Sequence, residues 1–289
     1  MPETWTTLVA ADRLAERLDA PRLVVVDCRF DLMNPARGRQ DYLAGHVPGA
    51  VYAHLDDDLA APVTAASGRH PLPSPDTFTA TLRRLGIDND SQVVAYDGGP
   101  GGIAARLWWM LRWLGHDAVA VLDGGFAAWT AGGHALERDV PAPPAGRFTP
   151  QPRPGAVLST AELEDGLRSA GAPLLVDARE AARYRGDSEP IDSVAGHVPG
   201  ALNFPYVGNL GPDGRWRRPA ALRAAWDDLL GAAPPDGWAV MCGSGVTACH
   251  LALSAELAGL PPPRLYAGSW SEWIRDPDRP REPAGAGGR

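Results

Sequence analysis

No lysine occurs anywhere in the 289 residues; all 27 basic positions are arginine. Any cationic grip on a ligand must therefore come from guanidinium groups, which suit two-pronged contacts to carboxylates and other oxyanions. Cysteine is scarce too. Three residues, an odd number, exclude a disulfide framework and fit a reducing cytoplasm. No basic stretch interleaved with aromatics is present and the net charge is −8, which argues against nucleic acid as a partner. The N-terminus lacks a basic segment followed by an apolar one, and no apolar run is long enough to span a membrane. A cytoplasmic protein with no membrane partner is expected. Histidine and cysteine do not cluster at ligand spacing and no phosphate-binding loop occurs, so neither metal nor organic cofactor is implied.

Of what is present, the segment Trp238-Ala-Val-Met-Cys-Gly-Ser-Gly-Val-Thr-Ala-Cys-His250 says most. An apolar run ends in Cys242, a glycine-rich turn follows, and a helical stretch begins near Val246. Helix N-termini carry unpaired N–H groups and a positive dipole end, which favour anions. A thiol held there ionises easily, with a pKa that falls to ~3.5–7.5 in such settings. Gly243 and Gly245 allow the backbone to curl until successive N–H groups face the sulfur. A phosphatase with a cysteine in a similar cradle needs an arginine six residues later; that position is Ala248, and the loop holds no charge. Cys242 and Cys249 are too far apart for a C-x-x-C redox pair. The loop suits one extra sulfur atom carried on Cys242.

The chain also repeats itself. Leu23-Val-Val-Val-Asp-Cys-Arg29 matches Leu174-Leu-Val-Asp-Ala-Arg179, and Gly45-His-Val-Pro-Gly-Ala50 recurs unchanged as Gly196-His-Val-Pro-Gly-Ala201. Val93-Val-Ala-Tyr-Asp97 parallels Trp238-Ala-Val-Met-Cys242, and Asp123-Gly-Gly-Phe-Ala-Ala-Trp129 parallels Ala267-Gly-Ser-Trp-Ser-Glu-Trp273. Four matched blocks in the same order, roughly 145–150 residues apart, fit a duplicated domain of ordinary size. The expected plan is a first domain over 1–140, a proline-rich linker over 141–156, a second domain over 157–276 and a disordered tail over 277–289. Helical spacing covers Asp12–Leu18, Thr77–Leu85 and Ile103–Leu114 in the first copy. It covers Thr160–Ser169, Pro219–Leu230 and Val246–Leu257 in the second. Alternation of strand and helix predicts α/β domains, each a parallel sheet with helices on both faces and its site at the strand carboxyl ends.

Taken together, the two His-Val-Pro-Gly-Ala blocks, the Gly-Ser-Trp-Ser-Glu-Trp block and the Cys-Gly-Ser-Gly-Val-Thr loop resemble the tandem rhodanese-type sulfurtransferases, which move sulfane sulfur through a cysteine persulfide. The resemblance implies two rhodanese-like domains of which only the second is catalytic. Asp97 stands in the first copy where Cys242 stands in the second, and a carboxylate cannot carry sulfane sulfur. The persulfide is expected on Cys242, cradled by Gly243, Ser244, Gly245, Val246 and Thr247, with no cofactor. The loop is similar to that of 3-mercaptopyruvate sulfurtransferases. Thiosulfate-preferring members typically have Arg and Lys where this chain has Gly243 and Ser244.

By the same resemblance Arg183, in Ala182-Arg-Tyr-Arg-Gly186, would bind the donor. A second arginine usual in mercaptopyruvate enzymes is missing from Glu189-Pro-Ile-Asp-Ser193. The first copy would contribute Asp56, within His54-Leu-Asp-Asp-Asp58, and His70, within Gly68-Arg-His-Pro-Leu-Pro73. The adjacent Asp57 and Asp58 compete for the Asp56 role. Ser244 would hydrogen-bond the donor or relay a proton. The implied partners are a small anionic donor (3-mercaptopyruvate or thiosulfate) and an acceptor such as cyanide, a small thiol or a thioredoxin-like protein. A sulfur carrier serving one specific protein would use the same residues and differ only in its acceptor.

Features shared by both copies read as structural. His46 and His197 are expected to bond backbone at a turn closed by Pro-Gly. Asp27 with Arg29, and Asp177 with Arg179, are expected as strand-end ion pairs. Cys28 is expected in the core, Cys249 about two turns into the helix after the loop, and Trp108, Trp109 and Trp113 in packing.

Overall fold

The computed structural model describes residues 3–169, 171–231, 234 and 236–282. Its contacts divide the chain into two units. The first takes the chain up to Ala61, then Leu72–Arg153 and Gly211–Trp216; the second takes Pro62–Pro71, Pro154–Leu210 and the chain from Arg217 onward. The expected single division at the linker is therefore crossed twice. Pro62–Pro71, from the N-terminal half of the sequence, is part of the second unit.

The first unit is a five-stranded parallel sheet. Its strands are β1 (Leu8–Val9), β2 (Leu23–Asp27), β3 (Val51–Tyr52), β4 (Gln92–Tyr96) and β5 (Val119–Leu122), in the order β1-β5-β4-β2-β3. The helices are α1 (Ala11–Ala15), α2 (Ala36–Ala44), α3 (Leu55–Asp58), α4 (Pro75–Arg84), α5 (Gly102–Trp113) and α6 (Gly125–Ala131). The second unit repeats the plan: β6 (Val157–Leu158), β7 (Leu175–Asp177), β8 (Leu202–Asn203), β9 (Ala239–Met241) and β10 (Arg264–Tyr266), in the order β6-β10-β9-β7-β8. Its helices are α7 (Thr160–Arg168), α8 (Ala181–Arg185), α9 (Pro219–Leu230), α10 (Thr247–Leu257) and α11 (Ser269–Trp273).

Apart from Gln92 at the start of β4, the central strands β4 and β9 are apolar, as strands covered on both faces must be: Val93 to Tyr96 and Ala239 to Met241 are all buried. Around β9 the core gathers Leu158, Leu163, Leu175, Val198, Tyr266, Trp270 and Trp273. Helix starts follow local chemistry. Ser74 caps α4 with Pro75 in its first turn, and Ser159 and Glu162 form a reciprocal capping box on α7. Helix α10 buries eight of its 11 residues, Ala248 to Ala255, so it is apolar nearly all round and runs through the unit's interior.

The duplicated features hold the same places in each unit. Arg29 pairs with Asp27 at 2.6 Å and Arg179 with Asp177 at 2.7 Å, all four buried. His46 Nδ1 bonds the Tyr42 carbonyl at 2.8 Å and His197 Nδ1 the Tyr184 carbonyl at 2.9 Å, each imidazole stacked on that tyrosine. Trp108 and Trp109 are buried packing residues, and Trp113 stacks on Trp109. The proline-rich stretch is extended but pinned: Gly146 N–H donates to Arg83 O, Arg83 donates to Phe148 O, and Phe148 is fully buried. The segment expected as a disordered tail begins with bonded residues. Trp273 Nε1 donates to Pro280 O, and Glu282 forms a backbone bridge with His197. Residues 283–289 of that segment lie outside the described residues.

Candidate active site

Cys242 follows β9, the middle strand of the second sheet, so the strands on either side deliver their own carboxyl-end loops beside it. From β10 comes Ala267–Trp273. Its Trp270 N–H donates to Cys242 O at 3.0 Å and its Ser271 N–H to Gly243 O at 2.8 Å. Ser269 Oγ accepts the Cys242 N–H at 3.1 Å and donates to Tyr266 O at 2.8 Å. Ser269 also has φ +52°, in the left-handed region, where the first unit has Gly125 at φ +58°. A non-glycine residue there costs roughly 1–2 kcal/mol. Its hydroxyl, bonded on both sides, offsets that strain by fixing the backbone of Cys242.

The loop closes under the sulfur. The Gly245 N–H donates to Cys242 Sγ at 3.1 Å. Gly245 has φ +77°, and a Cβ there would lie 2.4 Å from Ala267 O, so only glycine fits this turn. Cys242 is buried, with 2% of its surface exposed. Val246 caps α10 and Thr247 opens it, which makes Cys249 the third residue of the helix. It sits in the first turn, closer than the two turns expected, with its thiol donating to Gly245 O at 3.4 Å. Cys28 belongs to the first unit. Burial, reinforced by Asp27, pushes its thiol well above the usual cysteine range, which keeps it unreactive.

His70 and Ser244 meet in the second unit, His70 Nδ1 to Ser244 Oγ at 2.7 Å, both buried. Arg183, on α8, grips Glu189 through Nε (3.0 and 3.2 Å) and Nη2 (2.8 Å), and its Nη2 reaches Asp192 Oδ2 at 3.0 Å. Burial works against ionisation of Glu189, but Arg183 and the N–H groups of Asp192 and Ile191 hold its carboxyl below the usual range. Burial pushes the Asp192 carboxyl up, against the pull of Arg69. Asp56 belongs to the first unit, in the first turn of α3. Of its neighbours, Asp58 accepts the His54 N–H and pairs with Arg84, while Asp57 lies 3.3 Å from His54 Nδ1.

Four residues at the loop escaped sequence reading. Ser269 and Ser271 lie in a repeated block, and Ser269 departs from Gly125 at a position that needs left-handed backbone; that mismatch was the available signal. Arg69 and Asp192 left no local signal, because each matters through a partner distant in sequence. Arg69 pairs with Asp192 and donates its N–H to Ser271 Oγ at 3.0 Å.

In the first unit the loop after β4 has the same form with a different occupant. The Asp97 carboxylate accepts N–H bonds from Gly99 (3.0 Å), Gly101 (2.9 Å), Ile103 (3.0 Å) and Ala104 (3.3 Å). Phe126 N–H donates to Asp97 O at 2.8 Å, as Trp270 N–H does to Cys242 O. Among the described residues, the first copy's loop thus holds a carboxylate with four N–H bonds, where the second copy's loop gives the Cys242 sulfur one, from Gly245.

A family model of the rhodanese-like domain matches residues 10–132 and again 159–276. A probable 3-mercaptopyruvate sulfurtransferase of Pseudomonas aeruginosa is 50% identical over 94% of this chain and 96% of its own. A putative thiosulfate sulfurtransferase, SseB, of Mycobacterium tuberculosis is 40% identical over 94% of this chain and 95% of its own. The crystal structure of SseA, a 3-mercaptopyruvate sulfotransferase from Escherichia coli, superposes with a TM-score of 0.80 at 34% identity, covering 92% of this chain and all of that one. With two matched domains, two parallel sheets in the same strand order and relatives aligned over nearly its whole length, this chain belongs to the rhodanese family as a tandem-domain sulfurtransferase.

Proposed function

We propose that the second unit carries the chemistry and that Cys242 is the residue that holds the transferred sulfur. The observation that carries this reading is the pair of loops: one fold of backbone cradles a carboxylate at Asp97 and a thiol at Cys242. A loop built to surround an anion favours a thiolate and then a persulfide anion at the same place. In the first half-reaction the Cys242 thiolate attacks the sulfur of 3-mercaptopyruvate and the carbon–sulfur bond breaks. The electron pair goes to the leaving three-carbon enolate, the proton from the donor thiol ends on its methylene carbon, and pyruvate departs. Ser244, bonded to His70, is placed to move that proton. In the second half-reaction a nucleophilic acceptor takes the outer sulfur and returns the thiolate. Gly243 to Thr247 supply the cradle and Arg183 holds the donor carboxylate, while the first unit's own loop is inert.

The donor we favour is 3-mercaptopyruvate over thiosulfate. Around the loop Arg69, Arg179 and Arg183 are matched by Asp177, Glu189 and Asp192. Such a balanced cluster offers directed N–H groups rather than net positive charge, and so suits a planar monoanion better than a dianion. The acceptor we assign is cyanide, a small thiol or a thioredoxin-like protein. All three thiols, Cys28, Cys242 and Cys249, are free, which suits a reducing cytoplasm. Steady-state kinetics with both donors under one set of conditions test the assignment. A higher kcat/KM for 3-mercaptopyruvate is expected; a higher value for thiosulfate would overturn the donor choice and leave the Cys242 chemistry standing.

A further inference from the structure

The last helix of the second unit differs from its first-unit counterpart on one face. Matching Trp273 to Trp129 sets Ser271 and Glu272 of α11, and Arg275 just beyond it, against Ala127, Ala128 and Ala131. Arg275 stands four residues after Ser271 and three after Glu272, so the three side chains share one side of the turn. Methyl groups in one copy are hydrogen-bonding groups in the other.

All three bond one short piece of backbone. Arg275 Nε donates to Ser67 O at 3.1 Å, Glu272 Oε2 accepts the Gly68 N–H at 3.4 Å, and Ser271 Oγ accepts the Arg69 N–H at 3.0 Å. The acceptors are themselves held. Ser271 Oγ donates to Gly268 O at 3.4 Å, and the other Glu272 oxygen accepts the Thr160 hydroxyl. The approach leaves no space for a side chain at residue 68, where a Cβ would lie 2.6 Å from Gly268 O and 2.8 Å from Ser271 Oγ. The next residue is His70, buried, with Nδ1 2.7 Å from Ser244 Oγ. Three consecutive residues are therefore pinned immediately before the imidazole that meets the Cys242 loop.

We infer that Ser271, Glu272 and Arg275 are positioning residues for His70: by holding residues 67–69 they set the His70–Ser244 pair, and so favour a donor whose turnover needs a proton moved. The inference rests on the proton role given to Ser244 and His70 above. With 3-mercaptopyruvate a proton must pass from the donor thiol to the methylene carbon. With thiosulfate the Cys242 thiolate takes the outer sulfur, the S–S bond breaks and the electron pair leaves on sulfite, with no proton to relocate. A displaced imidazole should therefore harm the first donor and spare the second. A shift of about 1 Å in a reacting group costs on the order of a hundred-fold.

The test gives the second copy the three alanines of the first and measures turnover of both donors with cyanide as acceptor. Ser271→Ala/Glu272→Ala/Arg275→Ala should lower kcat for 3-mercaptopyruvate roughly ten- to a hundred-fold and leave kcat for thiosulfate within about threefold. Ser271→Ala alone, which releases only the Arg69 N–H, should show the same split at roughly ten-fold and decides the matter if the triple variant does not fold. Glu272→Gln keeps an oxygen for the Gly68 N–H and should hold 3-mercaptopyruvate kcat within about threefold of wild type. Equal losses with both donors would show that this face only stabilises the unit, and the inference would fail alone. It would also fail alone if His70→Ala lowered 3-mercaptopyruvate kcat while the alanine variants left it unchanged. If His70→Ala itself leaves that kcat unchanged, the proton role of His70 and Ser244 fails and takes this inference with it.

Discussion

The two glycine-rich loops of this chain have one backbone and two occupants. After β4 the cradle is filled by the Asp97 carboxylate, which accepts four N–H bonds and is thereby spent. After β9 it is filled by the Cys242 sulfur, which accepts the Gly245 N–H and retains its nucleophilic electron pairs. The difference extends beyond one residue. Tyr42 and Tyr184 are equivalent, each stacked on the histidine of its Gly-His-Val-Pro-Gly-Ala block. The residue before the tyrosine is Asp41 in the first unit and Arg183 in the second. The first copy has thus placed carboxylates at two positions where the second has a thiol and a guanidinium. On the proposed reading, duplication kept the loop and its backbone bonds, and substitution decided whether its occupant is a structural fixture or a reagent.

Exchanging the occupant should have the largest effect. Cys242→Ser should lower sulfur transfer from every donor by at least about a thousand-fold, the order of loss when a covalent nucleophile is removed, while thermal unfolding shows an intact fold. Substantial turnover in that folded variant would break the comparison. A smaller effect should come from the corner that holds each loop. Ser269→Ala keeps the left-handed strain and removes the acceptor of the Cys242 N–H, costing about 1–3 kcal/mol. Ser269→Gly loses the same bond but relieves roughly 1–2 kcal/mol of strain, making the second loop's corner resemble Gly125. The glycine variant should therefore unfold at the higher temperature of the two. The reverse order would show that the left-handed backbone at residue 269 carries no such strain.

Much of this was legible in sequence because the repeat doubled each signal. The apolar runs into Asp97 and Cys242 proved to be the central strands, and predicted helices such as Pro219–Leu230 and Thr160–Ser169 lie within a residue of those observed. The nucleophile loop was legible because strand, glycines and helix are contiguous. Arg69 beside Gly243 was not, since it arrives on a segment more than a hundred residues earlier, which joins the second unit. The same crossing hid the His70–Ser244 bond. Cys249 was misplaced by a turn because glycine-rich loops give no periodicity from which to count a helix start.

The central claim is that only the second copy carries sulfur, and mass spectrometry of peptides from donor-treated protein tests it most directly. With 3-mercaptopyruvate, the wild type and Asp97→Cys should both gain the mass of one sulfur atom on the peptide containing Cys242. The substituted residue 97 should gain nothing, since Asp41 stands where an arginine would be needed. Sulfur found at position 97, on Cys28 or on Cys249, with none on Cys242, would contradict the account.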